Sequence, residues 1–253
     1  MASSSIPRTR NRYPDDPQKS YRLSRSRLEN FLQCPRCFYL DRKLGIDRPQ
    51  GPPFNLNIAV DSMMKKEFDH YRILHMPHPL FKVHGIDAIP FEHPDLEIWR
   101  DSLRQGIKAP IPHTNIILTG GVDDVWVDRK SKKLMIVDYK ATSKNAEVSI
   151  DADWQITYKR QAEIYQYLFR SNGFEVLDTA YFVYCNALTT ADRFDAKLDF
   201  KISFIPYKGR ADWVESAVQE AQACLQSKAI PPPTATCEYC KYTAALTALN
   251  LNT

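Results

Sequence analysis

Apolar side chains recur at helical spacing in four stretches of the chain. In the first, residues 28–39, the rhythm runs through Leu28, Phe31 and Phe38 and is interrupted near Pro35. The same spacing returns at residues 56–72, 152–170 and 211–227. The pattern therefore predicts an N-terminal helical region with a break near Pro35, followed by three longer helices.

Strand-like stretches, which alternate or run continuously apolar, lie between these helices. They occur at residues 116–119, 122–128, 133–141, 178–185 and 197–206. Only short turns separate the first three, so we expect these to form a three-stranded meander. The mixture of helices and strands predicts an α/β fold.

The remaining segments set the expected boundaries. Residues 1–20 are rich in Arg, Ser and Pro and predict a disordered basic arm. The folded domain is expected to span residues 21–243, with an insertion at 73–113 that contains a short helix within 95–105. Residues 244–253 are expected to form a C-terminal tail.

Composition excludes few classes of protein. The 253 residues are 43% hydrophobic, enough for one medium-sized domain, and the net charge of +4 is compatible with nucleic acid without requiring it. No secretory signal and no apolar run of about 18 residues is present, so we expect a soluble, cytoplasmic protein with no membrane partner.

Two short motifs place acidic groups at strand ends. Gly120 and Gly121 lead to Asp123, and glycine permits close approach of a ligand to the backbone. Adjacent strand residues point to opposite faces, so only one of Asp123 and Asp124 can face a given site, and we choose Asp123.

The second motif is Asp138-Tyr139-Lys140, which follows four apolar residues. Asp138 and Lys140 share one face of the strand. Asp123 and Asp138, with the Tyr139 carbonyl, could ligate Mg²⁺ or Mn²⁺, while Lys140 orients the attacking water. The alternative is that Asp138 and Lys140 form an ordinary ion pair and Asp123 lies in a turn.

In this order, the motifs resemble the PD-(D/E)XK nuclease superfamily. Within it, the chain is similar to the RecB-like branch, from about Leu23 to Tyr242. The residues that carry the resemblance are Leu23–Ser26 leading to Cys34 and Pro35, Gly120–Asp123, Asp138–Lys140, and Gln161–Tyr165.

The resemblance implies a restriction-endonuclease-like core, a central mixed β-sheet flanked by helices. It implies that Asp123 and Asp138 are metal ligands, that Lys140 is catalytic, and that Gln161 and Tyr165 position DNA or support the site. The implied function is metal-dependent, exonuclease-like hydrolysis of DNA in repair, recombination or defence, with a helicase or a CRISPR-type protein as partner.

One position departs from the RecB-like pattern. Asp61 stands where members usually carry a histidine. Aspartate is an oxygen ligand suited to hard cations, so Asp61 is a further candidate ligand. The alternative is that Asp61 is a helix-surface acid paired with Lys65 one turn later.

Four cysteines form two pairs, Cys34-x-x-Cys37 and Cys237-x-x-Cys240. Some RecB-like members hold a [4Fe-4S] cluster with one cysteine before the nuclease domain and three after it, whereas this chain has two and two. Four thiolates also suit tetrahedral Zn²⁺. The resemblance places the iron–sulfur form ahead of zinc, and the remaining alternative is two unrelated reduced pairs.

Basic and aromatic residues surround the acidic motif. The candidates for contact with DNA, either single-stranded or at duplex ends, are Lys144, Tyr158, Lys159 and Arg160.

Two functions are alternatives to a nuclease. One is a non-catalytic DNA-binding module of the same fold, and the other is a zinc-stabilised interaction subunit.

Overall fold

A computed structural model describes residues 7–49 and 51–249. The described residues divide into two compact units. The first draws on the segments Met1–Pro52, Ala109–Thr119 and Asp212–Thr253, and the second on Pro53–Lys108 and Gly120–Ala211.

The elements are numbered along the chain. The strands are β1 (Tyr21–Ser24), β2 (Ala88–Pro90), β3 (Ile107–Pro110), β4 (Ile116–Gly120), β5 (Asp124–Asp128), β6 (Leu134–Thr142), β7 (Thr179–Ala187) and β8 (Phe200–Lys208). The helices are α1 (Arg25–Gln33), α2 (Pro35–Tyr39), α3 (Asn55–Ile73), α4 (Pro79–Val83), α5 (Leu96–Arg100), α6 (Ile156–Ser171), α7 (Val214–Gln226) and α8 (Glu238–Ala248). A π-helical turn follows α2, and a 3-10 turn precedes α6.

In the first unit, α1 and α2 pack against α7. Cys34 separates α1 from α2 in an extended conformation, with Pro35 as the first residue of α2, so the predicted break near Pro35 is confirmed. Leu28 and Phe38 are fully buried there. This junction fixes the place of the first cysteine pair.

The predicted three-stranded meander is wrong. β4 pairs in parallel with β1, with Tyr21 opposite Ile116, and belongs to a three-stranded sheet of order β1-β4-β3. Only β5 and β6 form the expected antiparallel hairpin. A short apolar run indicates a strand but does not specify its partner, and β1 is only four residues long.

The sheet of the second unit has five strands in the order β2-β5-β6-β7-β8. β6 and β7 are parallel, and the other neighbours are antiparallel. α6 connects the parallel pair, as such a crossover requires. This curled mixed sheet flanked by helices confirms the predicted α/β class and is consistent with a restriction-endonuclease-like fold.

The two faces of β6 have different surroundings. Tyr139 belongs to a buried apolar cluster and packs against Phe68 of α3. Asp138, the preceding residue, is bonded to Gln161 of α6. Because neighbouring strand residues point to opposite faces, α3 and α6 lie on opposite sides of the sheet.

The predicted insertion contributes to this sheet. Residues 73–113 contain α4, β2, α5 and β3, and β2 pairs with β5 as the edge strand. The helix expected within 95–105 is only five residues long, Leu96–Arg100. The segment therefore supplies both an outer strand and, through Arg100, a buried cation.

The chain ends differ from simple tails over their described parts. Residues 1–6 of the expected disordered arm lie outside the described residues. Tyr13 is buried, and the Arg8 guanidinium contacts both the carboxylate and the carbonyl oxygen of Asp41. α8 extends to Ala248, so the expected tail begins as helix. Among the described helices, none has the length and apolar character needed to cross a bilayer.

A buried charge cluster fixes the beginning of β5. The Asp124 carboxylate is fully buried and contacts the guanidinium of Arg72. It also accepts hydrogen bonds from Arg100 at 3.2 Å and from the Tyr139 hydroxyl at 2.6 Å. Burial and the Asp124 charge hold the pKa of Tyr139 well above its usual value, so the hydroxyl stays protonated and donates.

The variant Asp124→Asn should strongly destabilise the fold. It keeps the side-chain shape but removes the fully buried anion that Arg72 and Arg100 share and leaves them the more exposed carboxylate of Asp69, which costs about 3–5 kcal/mol. Denaturant unfolding measures the loss. Asp87→Asn, which breaks the exposed pair with Arg129, is the matched control and should cost less than about 1 kcal/mol. Equal losses for both variants would contradict the structural role of Asp124.

Candidate active site and cysteine cluster

Asp123 is the residue directly before β5, the strand that pairs with β6. The first pair of the β5–β6 ladder is Asp124 with Val137, so β6 continues past the start of β5. There, Asp123 Oδ2 accepts a 3.0 Å hydrogen bond from the Tyr139 backbone N–H. The Asp123 carboxylate thus accepts from Tyr139 in the place of a backbone carbonyl of a longer β5. This bond holds the carboxylate in the plane of the sheet.

Asp138 and Lys140 lie one after the other along the α6 face of β6. The Asp138 side chain is 1% exposed, and its Oδ2 contacts the Lys140 ammonium. Burial alone would lower the pKa of Lys140, but the charges of Asp138 and Asp123 outweigh it and raise the pKa. Lys140 is therefore a protonated ammonium that interacts electrostatically with both carboxylates. The structure thus brings the predicted residues Asp123, Asp138 and Lys140 together.

Gln161 and Tyr165 support this arrangement from α6. Gln161 Nε2 donates to Asp138 Oδ1 at 2.7 Å and lies 3.3 Å from the Tyr165 hydroxyl. The two residues are one helical turn apart, so they share one face. Both side chains are buried and act on the position of Asp138.

The two glycines before Asp123 serve internal packing. A Cβ on Gly120 would lie 2.5 Å from Cε1 of Tyr165. A Cβ on Gly121 would lie 2.4 Å from Cβ of Ser102. We expected the glycines to make room for a ligand. In the structure they make room for side chains of the same unit.

Asp61 lies on α3, and a lysine that contacts it also contacts Asp123. Lys65 Nζ is 2.8 Å from Asp61 Oδ2 and 3.4 Å from Asp123 Oδ1. Burial and the nearby Asp123 charge raise the pKa of Asp61, although Lys65 opposes the shift. The pairing of Asp61 with Lys65 considered above is present, and it also reaches Asp123.

The donor set fits a hard divalent cation. Asp61, Asp123 and Asp138 offer carboxylate oxygens, and the Tyr139 carbonyl points to the same side of β6 as its N–H, toward Asp123. Two ammonium groups already lie among these carboxylates, which shows that the site stabilises positive charge. Within the described residues, however, these carboxylates do not form a compact group of three; only the cysteines do so.

Lysines and aromatic rings form a row that leads away from Lys140. Lys140 Nζ lies 4.4 Å from the ring centroid of Tyr158, and Lys144 Nζ lies 5.8 Å from that of Trp154. The Trp154 and Tyr158 rings meet edge to face at 5.3 Å. We call Lys140, Tyr158, Trp154 and Lys144 the lysine–aromatic row.

The other two predicted DNA contacts are placed differently. Lys159 Nζ lies 5.8 Å from the ring centroid of Tyr207, on β8. Arg160 is half-buried on α6. Lys144 and Tyr158 are therefore the predicted pair whose contacts lead to the acidic site.

The four paired cysteines converge within the first unit. Their Sγ atoms all lie within 4.8 Å of one another. The shortest separations are 3.6 Å from Cys37 to Cys237 and to Cys240, and 3.7 Å from Cys34 to Cys240. All four side chains are buried, so the cluster could hold a metal shielded from water.

Arg48 provides a cation beside this cluster. Its Nη2 lies 3.9 Å from Cys237 Sγ, and its guanidinium stacks over Tyr239. At Cys34, burial favours the thiol, but hydrogen bonds from the backbone of Thr234 and Cys37 outweigh it and lower the pKa to about 6. Burial raises the pKa of Cys37 and Cys240, so Cys34 is nearer than these two to the thiolate form that metals bind.

Several contributors were not predicted as site residues. Lys65 was considered only as a surface partner of Asp61, and Arg48, Arg72 and Arg100 had no expected role. Their side chains reach these positions through tertiary folding, and nothing in the local sequence distinguishes them from surface cations. The one usable signal is Lys65, which lies one turn from Asp61 and hence on the same helix face.

Comparison with known families agrees with the site. A model of the PD-(D/E)XK nuclease superfamily matches residues 59–245, well over half of the chain. The chain therefore belongs to the PD-(D/E)XK nuclease superfamily. The matched segment includes every predicted acidic-site residue but begins after Cys34 and Cys37. No curated protein matched the chain in a sequence comparison.

Proposed function

We propose that the protein is a metal-dependent deoxyribonuclease that hydrolyses DNA phosphodiester bonds at the site formed by Asp123, Asp138 and Lys140. The observation that carries the proposal is the convergence of these three groups at the β5–β6 junction in a chain of this superfamily. Nucleases of this superfamily usually depend on divalent metals.

Asp123 and Asp138 would hold Mg²⁺ or Mn²⁺, with Asp61 and the Tyr139 carbonyl as further donors. When bound, such an ion lowers the pKa of water and neutralises charge on the phosphate. Gln161 keeps the Asp138 carboxylate oriented through its 2.7 Å hydrogen bond. Lys140 retains its proton, so its ammonium can offset the negative charge that grows on the phosphate oxygens during attack.

We further propose that the protein belongs to the RecB-like branch. The Cys-Pro element and the flanking cysteine pairs support this branch. Exonuclease-like action in DNA repair, recombination or defence, with a helicase or CRISPR-type partner, follows from the same resemblance.

Replacement of Lys140 by Met should lower cleavage by at least about 100-fold, because a buried charge that stabilises the transition state is lost. Cleavage of end-labelled single- and double-stranded DNA with Mg²⁺ or Mn²⁺ measures it. Lys130→Met, in the exposed turn between β5 and β6, is the matched control and should cleave like the natural protein.

The same assay separates the rival functions. A non-catalytic DNA-binding module would bind DNA but cut none with either metal. An interaction subunit would show no DNA affinity even at low salt. Either result, with a natural protein that is folded, would reject the nuclease proposal.

We propose that the lysine–aromatic row binds a single DNA strand beside the site. Trp154 is 56% exposed, which is unusual for a side chain of its size, and its ring is available for stacking. Lys144 follows Lys140 by four residues, just past the end of β6 at Thr142. Stacking faces with cations beside them are what binding of a single strand requires.

The variant Trp154→Ala should weaken binding of a single-stranded oligonucleotide by about 1–3 kcal/mol, the value of one stacked base. Trp154→Phe keeps a stacking face and should retain most of the affinity. Fluorescence anisotropy in metal-free buffer measures both. Equal affinity for the Ala and Phe variants would contradict stacking on Trp154.

For the cysteine cluster, we propose a single tetrahedral Zn²⁺. A zinc–sulfur bond of about 2.3 Å places the four sulfurs of a tetrahedron about 3.8 Å apart. The closest Sγ separations, 3.6 and 3.7 Å, match this spacing. In a four-iron cluster each thiolate binds a different iron atom, so its sulfurs must lie farther apart. The distances thus favour zinc over the iron–sulfur form that the resemblance placed first.

Anaerobically purified protein should therefore be colourless and contain one zinc per chain, measured by elemental analysis and visible absorption. Cys37→Ser should lose the zinc and lower the thermal midpoint, because metal binding contributes to folding. Cys224→Ser, a cysteine of the same unit outside the cluster, should keep it. About four irons per chain with visible absorption would identify the cluster instead.

A further inference from the structure

Lys65 occupies a position that an ordinary helix-surface lysine does not reach. Its ammonium lies between two carboxylates from different parts of the second unit, 2.8 Å from Asp61 and 3.4 Å from Asp123. The side chains of Lys65 and Asp123 are each 23% exposed, and that of Asp61 is 33% exposed. This arrangement links α3 to the start of β5 through one cation.

The contact with Asp123 distinguishes this lysine from its neighbour. Lys66 is exposed on a different face of α3, as its position one residue later requires. An ion pair between residues four apart on a helix surface contributes little to stability and by itself does not indicate a functional site. Lys65 also contacts a residue 58 positions away, and that residue is a proposed metal ligand.

The charges around the site show what Lys65 does. Asp61, Asp123 and Asp138 bring three negative charges, and Lys65 and Lys140 place two ammonium groups in contact with them, while the Arg100 guanidinium donates to the Asp123 carbonyl oxygen. A divalent cation bound to Asp61 and Asp123 would require the space and the lone pairs that the Lys65 ammonium now uses. It would also be repelled by that ammonium at short range.

We propose that Lys65 is a tethered counter-ion that competes with the divalent metal for Asp61 and Asp123 and thereby sets the metal affinity of the site. This inference rests on the proposed function, because it takes these aspartates as metal ligands. Lys65 is a positioning residue: it holds the two carboxylates in place and yields them when the metal enters. Its flexible four-carbon stem and partial exposure permit that movement.

Metal affinity without DNA tests the proposal directly. Titration calorimetry with MnCl₂ would compare the natural protein with Lys65→Met, Lys65→Arg and the matched control Lys66→Met. We expect Lys65→Met to bind Mn²⁺ at least about tenfold more tightly, because a nearby positive charge is removed. Lys65→Arg keeps the charge and should stay within about threefold of the natural protein, and Lys66→Met within about twofold.

Unchanged or weaker Mn²⁺ binding by Lys65→Met would overturn the proposal, as would an equal gain in Lys66→Met. Lys65→Gln provides a second neutral variant if the Met variant does not fold, and the same tenfold gain is expected.

The variant Asp123→Asn separates the metal site of the proposed function from the role of Lys65. If Mn²⁺ binding is insensitive to Asp123→Asn, the metal site of the proposed function fails; if it is sensitive but indifferent to Lys65→Met, only the role of Lys65 fails.

Discussion

The burial of Asp124 is the constraint on which the acidic site depends. A fully buried carboxylate requires compensating cations, and Arg72 from α3 and Arg100 from α5 provide them. Because Asp124 is turned into this cluster, the preceding Asp123 must point elsewhere, and it meets the free N–H of Tyr139. Tyr139 takes part in both arrangements, through its hydroxyl and its backbone, so the charge cluster and the candidate site share one residue of β6.

The second face of β6 fixes Asp138 by a separate chain of contacts. Gly120 leaves room for the Tyr165 ring, Tyr165 lies beside Gln161, and Gln161 donates to Asp138. Asp123 is thus held in the plane of the sheet by a backbone N–H, and Asp138 is held on the α6 face by buried side chains. Such support limits rotation of both side chains, which is what a site for a small cation needs.

The sequence was a good guide to long elements and a poor guide to short ones. α3 and α6 were predicted almost to their ends because each carries several turns of one-sided apolar spacing. β1, β2 and β3 have three or four residues each, too few for a period to show. The missed β1 is also why β4 was assigned to a meander, since β4 had no visible alternative partner.

For the site, the motifs gave the residue types and the strand alternation gave their faces. Alternation allows only one of Asp123 and Asp124 to face a given site, and in the structure the two carboxylates do have different partners. What the sequence did not provide is the environment, because Lys65, Arg72 and Arg100 reach their partners only through tertiary folding. The cysteines are different, because their spacing predicted one shared cluster or zinc site and the four sulfurs do converge across some 200 residues.

Asp61 stands where the RecB-like pattern would have a histidine, and this has a consequence for charge that the Lys65 contact explains. A neutral histidine at this position would leave two carboxylates, Asp123 and Asp138, beside the two ammonium groups of Lys65 and Lys140. Asp61 adds a negative charge, which by itself would raise the repulsion among carboxylates. Burial, followed by the nearby Asp123 charge, raises the pKa of Asp61. Lys65, one turn later on the same helix face, supplies the matching positive charge. Asp61 and Lys65 are therefore best understood as one unit, in which the acidic side chain on α3 is accompanied one turn later by the cation that stabilises it.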